Sequence, residues 1–464
     1  MNQNHTSENF KGDNKLIIGI VLAVLTFWLF AQSLVNIVPT LKDTFNTSMG
    51  NINTALSLTA LFCGMFVVGA GGIADKYGRV KVTQAGLILS IIGSVLVIAT
   101  TIPAVMMVGR VIQGFSAAAI MPATLAIVKA YYHGADRQRA LSFWSIGSWG
   151  GSGICSFFGG AVATTFGWQW IFVISIVLSI ISIFLIKGTP ETKADEETRT
   201  RFDVPGLAIL VVFVLGLELF ITKGGEFGYT SMISLGLIAL IVVSFIIFFL
   251  RERVSRNPLI DFHLFSNKPY TGAVVSNFLL NAVGGTLVVA NTFVQQGLGF
   301  SSFQAGSLSL TYLVMVLLMI RVGEKMLQKM GAKKPMMLGS IIAAIGILLI
   351  SLTFLPQMLY IVSSIIGYLL FGLGLGIYAT PSTDTAVSTA PENKAGVAAG
   401  IYKMASSLGN GFGMAISGAV YATAIVGLGL SHGAMIALWV NVAMALVSFL
   451  AIMFLIPNDD KRVK

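Results

Sequence analysis

The chain has 464 residues, 55% of them hydrophobic and only 10% charged, with a formal net charge of +10. A soluble globular domain carries about a quarter charged residues, so this composition excludes one and describes a polytopic membrane protein. In a soluble protein the positive balance would suggest a nucleic-acid partner. Here the bases lie in short loops between apolar runs, so the partner expected is the lipid bilayer and no nucleic acid. The two cysteines, Cys63 and Cys155, both fall inside apolar runs, which argues against a disulfide framework or a metal site.

A membrane-crossing helix needs about 20 mostly apolar residues. In chain order the sequence predicts fourteen: 16–39, 51–73, 82–101, 104–130, 140–163, 168–187, 204–222, 230–250, 270–297, 303–322, 335–354, 358–386, 395–424 and 433–456. The first fifteen residues are polar and no small-residue cleavage site follows segment 1, so that run is expected to be retained rather than removed as a signal peptide. An even number of crossings puts both termini on one side. With a cytoplasmic N-terminus, 25 of the 29 Lys and Arg fall on the cytoplasmic side and two, Lys42 and Lys223, on the other. The last two, Arg110 and Lys403, lie within segments 4 and 13. That asymmetry predicts cytoplasmic termini.

Internal repetition divides the chain. Ser57-Leu58-Thr59-Ala60-Leu61 in segment 2 is echoed by Ser309-Leu310-Thr311-Tyr312-Leu313 in segment 10, making segments 9 and 10 counterparts of 1 and 2. Two six-helix halves follow, residues 1–200 and 256–464, with segments 7 and 8 inserted between them at 201–255. The charged stretch Lys187 to Asp203 reads as a flexible cytoplasmic linker. The stretch 251–269 reads as a short interfacial helix or strand.

Between segments 2 and 3 lies Gly71-Gly72-Ile73-Ala74-Asp75-Lys76-Tyr77-Gly78-Arg79-Val80-Lys81. Glycines let two helix ends approach and turn with positive φ. Asp75, facing Lys76, Arg79 and Lys81 at a helix end, can lock one helix to the next through a charge-assisted hydrogen bond. A second copy is sought between segments 10 and 11. There Gln328-Lys329-Met330-Gly331-Ala332-Lys333-Lys334 keeps the glycine and the bases but puts Gln328 where the acid would stand. Glu324, one turn earlier, is a candidate substitute.

Charges inside the apolar segments are costly, roughly 2.5–3.5 kcal/mol each on insertion scales. Four are candidates for proton coupling: Arg110, Glu218, Asp384 and Lys403. Arg110 can lower the pKa of a nearby acid or tie helix ends together. Asp384 follows Pro381, which frees a backbone carbonyl, and can cycle between neutral and charged; the alternative is a snorkelling acid near the helix end. Glu218, close to the outer loop and Lys223, reads first as an interfacial structural acid. Asp384 and Lys403 flank the turn at Pro391-Glu392-Asn393-Lys394 at depths that differ by about 7 Å, so they are expected to pair in at least one conformation.

Polar residues at helical spacing sketch a substrate pocket. Trp28, Gln32 and Asn36 share one face of segment 1; Asn277 with Asn281, and Asn291 with Gln295, form two such pairs in segment 9. The 19 Met and 31 Phe suit a tolerant apolar cavity, although most of them are expected to pack helices or face lipid.

The stretch 71–81 resembles the cytoplasmic signature of the major facilitator superfamily, Gly-x-apolar-Ala-Asp-basic-x-Gly-Arg. Gly109-Arg110-Val111-Ile112-Gln113-Gly114 is similar to its helix 4 motif, in which the Arg is linked to proton coupling in antiporters. Across nearly the whole chain the sequence resembles the fourteen-helix drug:proton antiporters, in particular quinolone efflux transporters. Trp144 to Gly151 and Tyr378 to Thr385 carry that likeness. The resemblance implies a major facilitator fold in a bacterial cell membrane and proton-driven export of fluoroquinolones and other amphipathic drugs. It also implies no cofactor besides the coupling proton, a monomer, and no enzyme activity. Two departures stand out. Cys155-Ser156 replaces the Gly-Pro of the helix 5 antiporter motif, and Ala31-Gln32-Ser33-Leu34-Val35-Asn36 lacks the helix 1 acid of many relatives. A same-fold transporter of one physiological solute, or a membrane receptor without transport, are the alternatives. No Walker motif occurs, which argues against an ATP-driven pump.

Overall fold

A computed structural model describes residues 10–31, 33–132, 136, 140, 143–144, 147–148, 151–193, 203–255, 258–389 and 395–458. Among these the regular structure is entirely helical and falls into fourteen helical segments. The first six are α1 (Asn14–Ala31), α2 (Met49–Tyr77), α3 (Arg79–Ile98), α4 (Pro103–Tyr131), α5 (Gly151–Thr165) and α6 (Gln169–Ile186). Then come α7 (Val204–Phe227), α8 (Met232–Val254), α9 (Lys268–Ala282 with Gly285–Leu298), α10 (Ser302–Leu308 with Leu310–Met330), α11 (Lys333–Ile350) and α12 (Gln357–Ser388). The last stretch, Ala395–Leu455, is helical throughout except at Gly429 (φ 76, ψ 171), which separates α13 from α14. The loop expected around 425–432 is therefore absent: one glycine with positive φ reverses the chain without extra residues.

Counterpart helices share their irregularities. Helix α1 gives way to a 3-10 turn at Ser33–Ile37 before Val38–Thr44 continues the crossing, and α9 is interrupted between Ala282 and Gly285. Small residues repeat in the same way. A Cβ on Gly93 of α3 would stand 2.9 Å from the Gly109 carbonyl oxygen of α4, and one on Gly339 of α11 would stand 2.6 Å from that of Gly374 of α12. Both halves thus bring these helices together on bare backbone, where packing rather than hydrophobicity holds membrane helices together.

The inserted helices differ in exposure. Helix α8 turns Ile233, Leu235, Val243, Phe245, Ile246 and Ile247 outward, as a lipid-facing surface requires. Helix α7 packs on α8 on one side and on α2 and α13 on the other, touching both halves of the repeat. Its N-cap is Asp203, whose Oδ1 accepts from Gly206 N–H and from Arg251 of α8 at 2.7 Å. Burial pushes the Asp203 carboxyl up, but the Arg251 and Gly206 hydrogen bonds prevail and hold it below the usual carboxylate range. Its stabilising contribution is therefore present above that range and lost as the pH falls through the lowered folded value.

The stretch after α8 folds as a 3-10 helix, Phe262–Ser266, with Asp261 accepting from His263 N–H at its start. At the end of the bundle that carries Lys42 and Lys223, Leu34, Ile37, Leu41 and Phe45 from one half join Leu287, Val288, Phe293 and Tyr312 from the other in one buried cluster. That end is sealed.

Candidate functional site

The turn between α2 and α3 is built around Gly78, whose φ of 125 is a conformation that side chains rarely adopt. Arg79 donates from Nε at 3.0 Å and from its terminal nitrogen at 2.9 Å to Asp75 Oδ1, tying the end of α2 to the start of α3. A second acid, unforeseen from the sequence, completes the turn. Glu191 Oε1 accepts from Val80 N–H at 2.9 Å and its Oε2 from Lys81 N–H at 3.0 Å, capping the first turn of α3. Arg79 N–H reaches the Thr192 carbonyl at 3.1 Å. The stretch 187–193 is therefore docked rather than a flexible linker, because orphan N–H groups at a helix N-terminus attract a carboxylate. The rest of that linker, up to 202, lies outside the described residues. Lys76 sits 5.2 Å above the Tyr77 ring, and Gly71 faces Pro122 of α4.

The second copy is built differently. Gly331 again has positive φ, 75. Glu324 does not bridge α10 to α11 as a substitute acid; it pairs with Arg321 of its own helix at 3.0 Å. Glu324, Gln328, Thr380 and Asp384 instead line an open cleft of about 570 Å³ between α10 and α12. Asp384 is exposed there, which corrects its reading as a charge buried in the membrane interior. Three residues past Pro381, it lies on the face of α12 turned to the cleft. Lys403 is set differently, with its ammonium 5.3 Å from the Trp144 ring centroid. The contacts seen for the two residues put them in different surroundings, so their pairing is a proposal for another conformation. The turn 391–394 lies outside the described residues.

Arg110 is fully buried. Its Nε donates to the Ala55 carbonyl at 2.9 Å, one terminal nitrogen to Gln113 Oε1 at 2.8 Å and the other to the Leu56 carbonyl at 3.3 Å. Thr59 returns a hydrogen bond to the Arg110 carbonyl at 3.1 Å. One turn of α2 is thereby held to α4. The opposite side of that turn carries Ser57, hydrogen-bonded to the Glu218 carboxyl of α7. Glu218 is 1% exposed, enclosed between helices rather than facing water or lipid. The sequence misplaced it because nothing in an inserted helix announces which neighbours will cover it.

The pocket candidates do not converge on one cavity. Trp28 is half-buried and packs on Gly151 of α5, where a Cβ would stand 2.4 Å from the indole. Gln32 and the side chain of Asn36 lie outside what is described. Asn277 donates to the Tyr402 carbonyl at 3.0 Å and to Ser406 Oγ at 2.6 Å, and Asn281 donates to Asn277 Oδ1 at 2.9 Å. Asn277 thus clasps α9 to α13, and Asn281 braces it from one turn along the same helix. Gln295 lies farther along α9, accepting from Ser302 at 3.2 Å. Asn291 is fully buried, and among the described residues neither its amide nitrogen nor its oxygen has a partner.

A hydroxyl network escaped the sequence. Ser276 and Tyr378 lie 2.7 Å apart, Ser382 donates to Tyr378 at 2.8 Å, and Ser382 and Tyr402 lie 2.9 Å apart, joining α9, α12 and α13. The available signal was a tyrosine in each of two apolar segments with serines one turn away. Among the described residues no group of three or more His, Cys, Asp or Glu could hold a metal.

The Major Facilitator Superfamily family model matches residues 16–414. The Quinolone resistance protein NorB of Staphylococcus aureus strain MRSA252 is 63% identical over 453 residues, 98% of each chain, and that of strain COL is 63% identical over the same length. Among solved structures, a D-xylose-proton symporter aligns with a TM-score of 0.69 at 15% identity, covering 96% of this chain and 98% of its own. A transporter of the POT family bound to 5-aminolevulinic acid gives 0.68 at 14% identity, with 96% of each chain covered. At such identities the likeness is one of fold.

Proposed function

The chain belongs to the Major Facilitator Superfamily, and from that premise we propose that it exports quinolones and other amphipathic drugs by drug:proton antiport, with both termini in the cytoplasm. The observation that carries this reading is the 63% identity to the Quinolone resistance protein NorB over 98% of both chains. A transporter of this superfamily performs no enzymatic reaction on its cargo. Two helical halves move relative to each other around a site near the membrane midplane.

In this reading the end that carries Lys42 and Lys223 faces outward and the basic end inward, as the distribution of Lys and Arg favours. Arg110 fixes α2 to α4 so that the first half moves as a unit. Asn291, whose buried amide has no partner among the described residues, is the best-placed polar contact for a drug entering between α1 and α9. Trp28 and Gln32 are proposed as further contacts.

The test is gradient-driven transport. Reconstituted in proteoliposomes with an imposed pH gradient, the protein is expected to concentrate the fluoroquinolone norfloxacin against its own gradient. An uncoupler should abolish that accumulation and added ATP should not restore it. Transport that persists with ATP after the proton gradient has collapsed sinks the reading.

A further inference from the structure

Three observations on the inserted helix α7 point one way. Glu218 is 1% exposed, and among the described residues its Oε2 has no hydrogen-bond partner. Its Oε1 meets Ser57 Oγ, which lies 2.9 Å from the Thr54 carbonyl. Glu218, Thr222 and Glu226 recur every four residues, on one face of the helix.

The first two observations bear on where the proton sits. Ser57 has a single hydroxyl proton, and a carbonyl oxygen can only accept. A neutral Glu218 gives both hydroxyl protons an acceptor, the carboxyl donating to Ser57 Oγ and Ser57 to the Thr54 carbonyl, and leaves only the uncharged carbonyl Oε2 without a donor. An ionised Glu218 would draw the Ser57 proton to itself, and its second oxygen would remain buried without a donor. That arrangement is costly in a dry interior.

The third observation supplies a route. Exposure rises along the stripe, from Glu218 through Thr222 at 7% to Glu226, whose side chain is 46% exposed. Each step is about 6 Å along the axis. The stripe lies against the start of α2, where Ser48 donates to Glu226 Oε1 at 3.1 Å and Gly50 leaves room for the same carboxylate. It opens at the end that carries Lys223. Because α7 packs on both α2 and α13, a change at Glu218 acts where the two halves meet.

We propose that Glu218 carries the coupling proton, taking the place of the acid that segment 1 lacks. The inference rests on the antiport reading given above. A proton from water at the Glu226 end binds the Glu218 carboxylate. The neutral acid then donates to Ser57 and closes α7 onto α2 in the packing seen here. The proton then leaves to water at the basic, cytoplasmic end, and the anion left behind seeks water and parts the two helices, so one proton crosses in each cycle. Other charged and titratable groups around α7 are few. On α7 itself Lys223 is bonded to Glu226 at 2.9 Å. On α2, Cys63 is buried and Asp75, Lys76 and Tyr77 lie at the far end; on α8, Arg251, Glu252 and Arg253 sit at the opposite end, and Tyr229, just before that helix, packs on Gly224; on α13, Lys403 faces Trp144, Tyr402 hydrogen-bonds with Ser382 and Tyr421 donates to Gln296 of α9.

The experiment pairs transport with binding. In proteoliposomes with an imposed pH gradient, Glu218→Gln is expected to lose gradient-driven norfloxacin accumulation by roughly tenfold or more, the scale of a coupling free energy between two sites. In detergent, wild-type affinity for norfloxacin should vary with pH, and that of Glu218→Gln should be flat at the wild type's acid-limit value. Thr222→Val should slow the gradient-driven rate while keeping the pH dependence of binding. Gradient-driven accumulation that survives in Glu218→Gln overturns the proposal. If that variant does not fold, Ser57→Ala decides: a displaced pH midpoint for binding supports the proposal, and an unchanged one overturns it. If the wild type itself shows no gradient-driven transport, the antiport reading fails. A pH dependence of binding that Glu218→Gln removes would still support Glu218 as the protonated site.

Discussion

The two halves carry the same turn at the same end of the bundle and hold it in opposite ways. In the first half Gly78 is flanked by Asp75 bonded to Arg79 and by Glu191 reaching back from beyond α6 to cap α3. In the second, Gly331 makes the turn, the counterpart of Asp75 is Gln328, and the nearest acid, Glu324, stays on its own helix. One turn is latched by a distant carboxylate, while the other borders an open cleft. Related halves therefore need not share their fastenings. Rocking moves one half against the other largely as a rigid body, and the latched turn suits the first half to that.

The largest effect should come from replacing the two turn glycines. Gly78→Ala forces a side chain into a backbone region that costs of order 1–3 kcal/mol. Its Cβ would also stand 2.3 Å from the Glu191 carboxyl carbon, so the cap must leave as well. Gly331→Ala carries a backbone cost of the same kind. The first variant should lose more thermal stability than the second, by about 1 kcal/mol, the usual worth of a helix N-cap. Equal losses would mean that Glu191 contributes nothing to the latch.

Glu191→Ala tests the same cap without backbone strain. It leaves the Val80 and Lys81 N–H groups without their carboxylate, and a loss of about 1 kcal/mol is expected in thermal unfolding. Glu191→Gln keeps one acceptor oxygen and should lose roughly half as much.

Asp75→Asn should act more on rate than on stability. The pair it breaks is partly exposed, with the Asp75 side chain at 44%, and such pairs are worth about 0–1 kcal/mol. Norfloxacin affinity should stay close to that of the wild type while turnover slows, because the turn lies at the helix ends. Normal turnover with weakened binding would remove Asp75 from the conformational role.

How far the sequence reveals this molecule depends on whether the deciding contact is local. The crossings are readable because a fixed bilayer thickness imposes a fixed length of apolar residues, and the repeat because Ser57 and Ser309 open matching strings. Asp75 with Arg79 is readable because four residues span one helical turn. Glu191 is not, since it meets Val80 from 111 residues away. Nor is the burial of Glu218, which depends on α7 settling between α2 and α13 rather than lying in lipid. The clasp of Asn277 on α13 was open to two readings for the same reason: a buried amide marks either a binding site or a helix contact, and only the partner helix tells which.

The smallest effect expected is that of Glu324→Gln, and it bears most directly on the comparison. If the second turn is unlatched, removing its nearest acid should change little. Glu324 is bonded to Arg321, whose side chain is 68% exposed, and an i, i+3 pair of that kind contributes at most a few tenths of a kcal/mol. Stability should stay within about 0.5 kcal/mol of the wild type, with transport unchanged. Gln328→Asp sharpens the point from the other side. By position it restores the missing acid, yet it sets a carboxylate one turn from Glu324 on a cleft that already holds Asp384. Like charges four residues apart repel, so the restored motif should destabilise slightly rather than latch. A gain in stability from Gln328→Asp, or a large loss from Glu324→Gln, would show that the second half has a fastening after all, and the asymmetry between the halves would have to be sought elsewhere than in this turn.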